Sequence, residues 1–454
     1  MQPVEKIYLD LYDANKEVID NNSPALLNEM RSLAREEFVQ HGFPTTSSEY
    51  YTRTDIKGAF DFDYGINVQN VHFPIKDAKG FSCGLENMPH TQITVLNERF
   101  EASLSKGLEL LPKEVFIGNL STFLEQYPDK KEQLAKIYGR YAEVDIDALV
   151  SLNTMFVQEA LIFYVPKGVK VADPVRVIQL VRSDVPMLLF RRIMIVVEEE
   201  ASLEVLICNH TLDKHRFLIN QVTEIDVAER GELKLYDLEE SSKKTYSMTT
   251  TVLRQKEESN VLINALTLNN GVTRNNFWTR FLGTKAKLTL GGLAIGTEQQ
   301  HVDNFSHIGH LRPECESQEL FKYIMNDEAV GAFAGRIYVA AHAQKTDAQQ
   351  SNRNLLLSPK ARVFSKPQLE IYADDVKCSH GMTTGQLSEE ALFYLRQRGI
   401  SEKEARTMLS IAFTDDVVQL VELPSLRASI VDVITARFDG KDSVHCNKCG
   451  KVCF

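Results

Sequence analysis

The sequence is poor in the features that mark several large protein classes. No apolar run approaches the roughly 18 residues that a membrane-crossing helix needs. The opening "MQPVEKIYLDLYD" has no basic stretch followed by an apolar core, so no signal peptide is expected and the chain reads as cytoplasmic. Lys and Arg number 51 against 62 Asp and Glu, a formal charge of −11, and they form no dense block. That balance argues against non-specific nucleic-acid binding. The patterns G-x-x-x-x-G-K-[ST], G-x-S-x-G and H-E-x-x-H are missing, as is a Rossmann glycine pattern after a strand. ATP hydrolysis by this chain alone is therefore not expected. Seven cysteines are an odd number in a long chain without an export signal, which argues against a disulfide framework.

What is present suits a globular protein, with 43% hydrophobic and 25% charged residues. A chain of 454 residues is too long for one ordinary core, so it holds two or three domains or a repeat that grows along one axis. Residues 1–155 read as helix-rich. In "SPALLNEMRSLAREEFVQHG" Ser23 is expected to cap a helix, Pro24 to begin it and Gly42 to end it. Leu26, Leu27, Met30, Leu33 and Ala34 form its apolar stripe. From about Thr45 to His90 the signal weakens towards loops.

Residues 156–385 change character. Short alternating runs such as "VRVIQLV", "NVLINALTL" and "AKLTLGGLAI" read as half-buried strands with no helices between them. A small or turn-forming residue, often after polar ones, precedes many of them, at Gly168, Ala201, Gly231, Asn260, Ala286, Ala329 and Ala361. The separations are 33, 30, 29, 26, 43 and 32. A strand-only period of about 30 predicts a β-solenoid over a propeller-like array, whose blades usually need about 40 residues, with a plain antiparallel sandwich kept open by the 43-residue gap. Residues 386–440 read as helical again. Ser401 and Glu404 make a capping box ahead of an apolar face of Ala405, Met408, Leu409, Ala412 and Phe413. A further helix follows Pro424. The pattern favours a cap on the solenoid over a docking platform. Residues 441–454 form a Cys-rich tail.

Three places carry possible chemistry. In "DDVKCSHG" Cys378 and His380 share a strand face about 6.6 Å apart, close enough to approach one iron or zinc ion. Two ligands fall short of a stable structural site, so a metal there would be shared with another chain or be transient, and spacing alone favours simple packing. In "HVDNFSHIGHLRPEC", His301, His307, His310 and Cys315 fit no standard zinc spacing and read as a polar loop. In "HCNKCGKVCF", Cys446 and Cys449 form a C-x2-C knuckle with Cys453 and His445 in reach. Zinc binding and a flexible tail of free thiols are balanced there.

The segment "KPQLEIYADDVKCSHGMTTGQLSEEALFYLRQRGI", with "GRIYVAAHAQKTDAQQSNRNLLLS" and "HVDN", closely resembles the SufD side of the SufB/SufD family of the SUF iron–sulfur assembly system. The match runs clearly from His301 to Phe413 and is weaker before that. The resemblance implies a right-handed parallel β-helix between helical N- and C-terminal regions. It implies pairing with a SufB-like scaffold and docking of a SufC-like ABC ATPase, on which alone ATP would bind. It implies a non-ATPase subunit that assembles nascent Fe–S clusters and supports iron supply. The family histidine falls on His380, the expected ligand for iron or a transient cluster at the partner interface, with Cys378 a weaker one. The helices from Ser388 would carry the ATPase contact, with Phe393, Tyr394, Arg396, Met408 and Phe413 as contributors. A homodimer of the isolated chain stays open. Two departures stand out. Tyrosines in "SSEYYTRTD" replace a family tryptophan, and the family assigns no role to Cys446, Cys449 or Cys453. Two other readings compete. One is a β-helix protein that binds or cleaves polysaccharide through Asp374 and Asp375, although aromatics to stack on sugars are few. The other is an interaction protein with a zinc-stabilised tail.

Overall fold

The computed structural model describes residues 3–71, 91–139 and 147–438. Its centre is a parallel β-solenoid of about 8 turns, flanked by helical N- and C-terminal regions. Each turn contributes one strand to each of two facing sheets. The first sheet runs from Leu161–Val165 to Arg362–Ile371, and the second from Val175–Val181 to Val376–Gly385. Register partners lie between 26 residues apart (Tyr246 and Val272) and 32 apart (Val330 and Arg362). The sequence period is thus the length of one turn.

The corners explain the recurring phrase. Glu200, Arg230, Lys285 and Glu314 have positive φ, from 53° to 63°. Each is followed by a small residue tucked into the corner: Ala201, Gly231, Ala286 and Cys315. At the third corner the left-handed residue is Glu258 and the buried small one is Ser259, so Asn260 already begins the strand. These corners all lead into the second sheet. Ala329 and Ala361 instead precede strands of the first sheet. The 43-residue gap therefore marks a jump from one edge of the solenoid to the other, across the Cys315 corner. A parallel ladder throughout the solenoid rules out the antiparallel sandwich.

Between the sheets lies one apolar core that includes Val205, Leu235, Ile263, Leu290, Ile308 and Ile337. Helices α1 (Pro3–Asn21), α2 (Ala25–Asn28), α3 (Arg31–His41), α4 (Ile56–Phe60), α5 (Leu120–Gln126), α6 (Lys131–Ala135) and α7 (Ala148–Phe156) cover the outer face of the first sheet. They pack on Leu188, Phe190, Met194, Val196, Leu218 and Met248. Short strands also lie within this segment. Gln92–Leu96 extends the second sheet and Phe116–Asn119 the first.

The expected first helix is interrupted. Arg31 is 1% exposed. It donates to the carbonyls of Thr154 at 2.9 Å, Met155 at 2.7 Å and Val157 at 2.8 Å, at the end of α7, and to Ser23 Oγ at 2.7 Å. Ser23 thus accepts from Arg31, donates to the Ile19 carbonyl near the end of α1 at 2.6 Å and does not cap α2, and Leu33 faces out at 39% exposure. Gly42 does end α3, with φ 61°. The segment "SSEYYTRTD", expected to be loop, is fastened to the first sheet. Thr54 Oγ1 donates to Asp303 Oδ2 at 2.5 Å, and the Arg274 guanidinium pairs with Asp303 at 2.6 Å and lies 4.4 Å from the Tyr51 ring centre.

Helices α8 (Glu389–Gln397), α9 (Glu402–Val418) and α10 (Pro424–Phe438) follow. The expected capping box of Ser401 and Glu404 is formed. These helices do not cap the solenoid end. They lie on the outer face of the second sheet, where Val417, Val418, Val421, Leu426 and Ile430 meet Leu206, Tyr236, Leu266 and Leu293. That contact turns α9 so that Met408 and Ala412 point outward. Among the described residues nothing covers the last turn of the solenoid.

Candidate functional site

The open end is built from the two last strands. Every residue of Arg362–Ile371 and of Val376–Gly385 is exposed or half-buried, in contrast to the strands before them. The free edges of both strands carry backbone groups that the ladder does not use, a ready template for strand pairing. Ile371, Tyr372 and Met382 add exposed apolar surface at 38%, 62% and 48%.

Cys378 and His380 share the inward-facing side of this strand. Cys378 stacks in register on Ala348, Ser317 and Leu288, and His380 on Gln350, Glu319 and Leu290. Cys378 is half-buried against the core, and burial pushes its thiol above its usual range. A protonated thiol is a weaker ligand than a thiolate. His380 is exposed. It offers a ring nitrogen at the rim, with the free strand edge beside it. Among the described residues no group of three or more His, Cys, Asp and Glu could hold a metal ion. A metal bound at His380 would therefore draw further ligands from outside the described residues, as a site shared between chains requires.

The column behind His380 is polar. Gln350 Nε2 donates to Glu319 Oε2 at 2.6 Å. Burial holds the Glu319 carboxyl up at about 7. Nearby, Asn304 Nδ2 donates to Tyr323 Oη at 2.6 Å, and Asn354 to Asn352 at 2.8 Å. Sequence reading missed Gln350, Asn352 and Asn354 because "TDAQQSNRNLL" is polar at nearly every position and shows no alternation. Aligning its corner with those of earlier turns would have placed Gln350 inside.

The other motifs separate. "HVDNFSHIGH" is a strand and not a loop. His301 meets Thr54 outside the sheet at 3.1 Å, while His307 stacks on Trp278 and is pushed down to about 4, chiefly by burial. His310 points inward to Ser317 Oγ at 2.9 Å and burial lowers it to about 3. Cys315 sits in a corner, with its thiol pushed up to about 11 by burial. These four form no common site. Cys446, Cys449 and Cys453 lie outside the described residues. Asp374 and Asp375 are exposed corner residues, and the Asp375 N–H donates to Gln344 Oε1 at 2.9 Å.

On the C-terminal helices, Phe393, Tyr394 and Met408 are exposed at 65%, 58% and 49%. Arg396 pairs with Glu402 at 3.6 Å. Phe413 is partly buried beneath Lys322, whose Nζ lies 5.0 Å from its ring centre. Exposed apolar side chains therefore stand on both α8 and α9. No helix among the described residues is long and apolar enough to cross a membrane.

Comparison with known proteins agrees with this architecture. A model of the SUF system FeS cluster assembly SufBD core domain matches residues 180–413, and one of the SufBD N-terminal region matches residues 2–177. An iron–sulfur cluster assembly SufBD family protein of Synechocystis is 29% identical over 429 residues, 92% of this chain and 93% of that protein. The iron–sulfur cluster assembly protein SufD of Escherichia coli is 35% identical over 216 residues, 48% of this chain and 51% of that protein. SufD of Bacillus subtilis is 26% identical over 356 residues, 77% of this chain and 80% of that protein. The resemblance read from His301 to Phe413 thus extends over most of the sequence, and the chain belongs to the SufBD family of SUF-system iron–sulfur cluster assembly proteins.

Proposed function

We propose that this chain is a non-ATPase scaffold subunit of SUF-type iron–sulfur assembly. It pairs through the open end of its solenoid with a second, SufB-like scaffold chain. It carries a SufC-like ABC ATPase on the exposed apolar side chains of α8 and α9. It supplies His380 as a ligand for iron or a nascent cluster, which is cargo shared with the partner. The observation that carries this reading is an exposed histidine on a terminal strand whose outer edge pairs with no strand among the described residues. Pairing there would bury Tyr372 and Met382 and bring a second chain's ligands towards His380. ATP binding by the ATPase would bias the C-terminal helices between two positions and so gate access to the interface.

Two proline variants test the pairing. Neighbouring residues of a strand direct their backbone groups to opposite sides, so Thr383→Pro and Thr384→Pro differ in the edge they disrupt. One of them should keep the thermal stability of the isolated chain and lose the partner in size-exclusion chromatography. Full complex formation by both variants would refute the edge-pairing part of the proposal.

A further inference from the structure

The column that ends at His380 has a directed hydrogen bond behind it. Glu319, Gln350 and His380 are successive register partners on the inward face. Strands in a sheet lie about 4.8 Å apart, so Gln350 is the immediate neighbour of His380 and Glu319 stands one strand further in. Gln350 and Glu319 are each 3% exposed. In its ionised form Glu319 orients the amide of Gln350, because a carboxylate only accepts and the amide nitrogen donates. Its other end, Oε1, is buried and has no hydrogen-bond partner among the described residues. The facing sheet makes room for this amide with a glycine, since a methyl group at Gly335 would overlap Gln350 Nε2 and the Phe333 ring. Cys378, by contrast, has Ala348 behind it and no side-chain acceptor.

A buried carbonyl oxygen without a donor is costly, and so is a buried imidazole N–H without an acceptor. In the open chain His380 faces solvent. When a partner covers the end of the solenoid, the imidazole loses water too and stands one strand away from the already buried Oε1. Hydrogen bonds of this kind often close only in the loaded state.

We propose that Gln350, held by Glu319, is the positioning residue for His380: its Oε1 accepts the inner imidazole N–H and leaves the other ring nitrogen unprotonated and facing outward as the iron or cluster ligand. This rests on the reading of His380 as a ligand. A metal-binding histidine is usually fixed in one tautomer by such an acceptor, and loss of the acceptor typically lowers metal affinity about 10- to 100-fold. Glu319 acts one step further back by keeping Oε1, and not the amide nitrogen, turned towards His380.

The test uses the full-length chain in complex with its partner chains, labelled with 15N at the histidine rings. The His380 signals are identified by their loss in His380→Gln. Wild type should show one tautomer and bind Fe(II), the probe under anaerobic conditions. Gln350→Leu should give mixed tautomers and about 10- to 100-fold weaker Fe(II) binding. Glu319→Gln retains a hydrogen-bonding side chain of the same size but no longer dictates the direction of the Gln350 amide, so it should mix the tautomers as well. A folded Gln350→Leu complex with wild-type tautomer and affinity overturns the inference. If that variant fails to fold, an unchanged tautomer in Glu319→Gln overturns it. If His380→Gln abolishes Fe(II) binding while Gln350→Leu leaves it intact, only the positioning role falls. If His380→Gln binds Fe(II) as wild type does, the ligand reading falls with it.

Discussion

Replacing Lys322 with methionine should loosen α9 without disturbing the solenoid. The Lys322 side chain is 4% exposed. Its Nζ donates to the Phe413 carbonyl at 2.7 Å and to Asp416 Oδ2 at 2.7 Å. Lys322→Met keeps the length and apolar stem and deletes the charge. The Phe413 carbonyl lies within α9 and keeps its helical partner. Asp416 is 52% exposed and also meets Arg353 at 3.2 Å, so its share is discounted for solvent screening. A hydrogen bond to a charged group is worth about 1.5–3 kcal/mol, and the discounted total is about 2 kcal/mol. That is roughly a 30-fold rise in the opening equilibrium. Amide hydrogen exchange should quicken by that factor over residues 402–418 and stay unchanged in the solenoid strands. The Asp416 carboxyl is held below its usual value of 3.8, chiefly by the hydrogen bond from Lys322. A depressed carboxyl stabilises the fold above its unfolded value and loses that contribution as pH falls. The gap between wild type and variant should therefore narrow below about pH 4. Exchange in α9 within threefold of wild type at pH 7 would refute the anchoring role of Lys322.

Other consequences follow from the same packing. Glu239 is raised from 4.5 to about 7, chiefly by burial, so its contribution to stability is full below about pH 4.5 and is lost as pH rises through 7. Glu239→Gln should accordingly gain about 2–3 kcal/mol on wild type between pH 5 and pH 8 in urea unfolding, and equal pH profiles would contradict this. Gly292→Ala should destabilise by about 1–3 kcal/mol, because the added methyl runs into the Phe321 ring inside the solenoid; an unchanged urea midpoint would tell against that packing. Phe393→Asp with Met408→Asp should leave the isolated chain within about 0.5 kcal/mol of wild type, since both side chains are exposed, yet weaken capture of the ATPase at least tenfold in a titration. Undiminished capture would move the docking surface elsewhere.

Local signals were legible in the sequence, and non-local ones were not. The capping box of Ser401 and Glu404 is complete within four residues and formed as read. The strand period was visible because one apolar face repeats in each turn. The corner at Cys315 escaped because cysteine is not a usual turn signal, which produced the 43-residue gap. The break between α2 and α3 depends on Arg31 reaching carbonyls more than a hundred residues away. The outward turn of Met408 depends on which residues of the second sheet α9 meets. At the site, alternation correctly put Cys378 and His380 on one face. Their different exposure depends on where the stacking of strands stops, and no local pattern encodes that. Gln350 and Glu319 were not singled out because polar side chains seldom line a protein interior.

The central claim is that His380 stands at the assembly site. The measurement is iron and acid-labile sulfide per complex, purified without oxygen from cells that co-express this chain with its scaffold and ATPase partners, for wild type and His380→Ala. His380 is exposed, so the variant complex should assemble normally. The account predicts near-stoichiometric iron and sulfide in wild type and their loss from the intact variant complex. Equal iron and sulfide in both would contradict it.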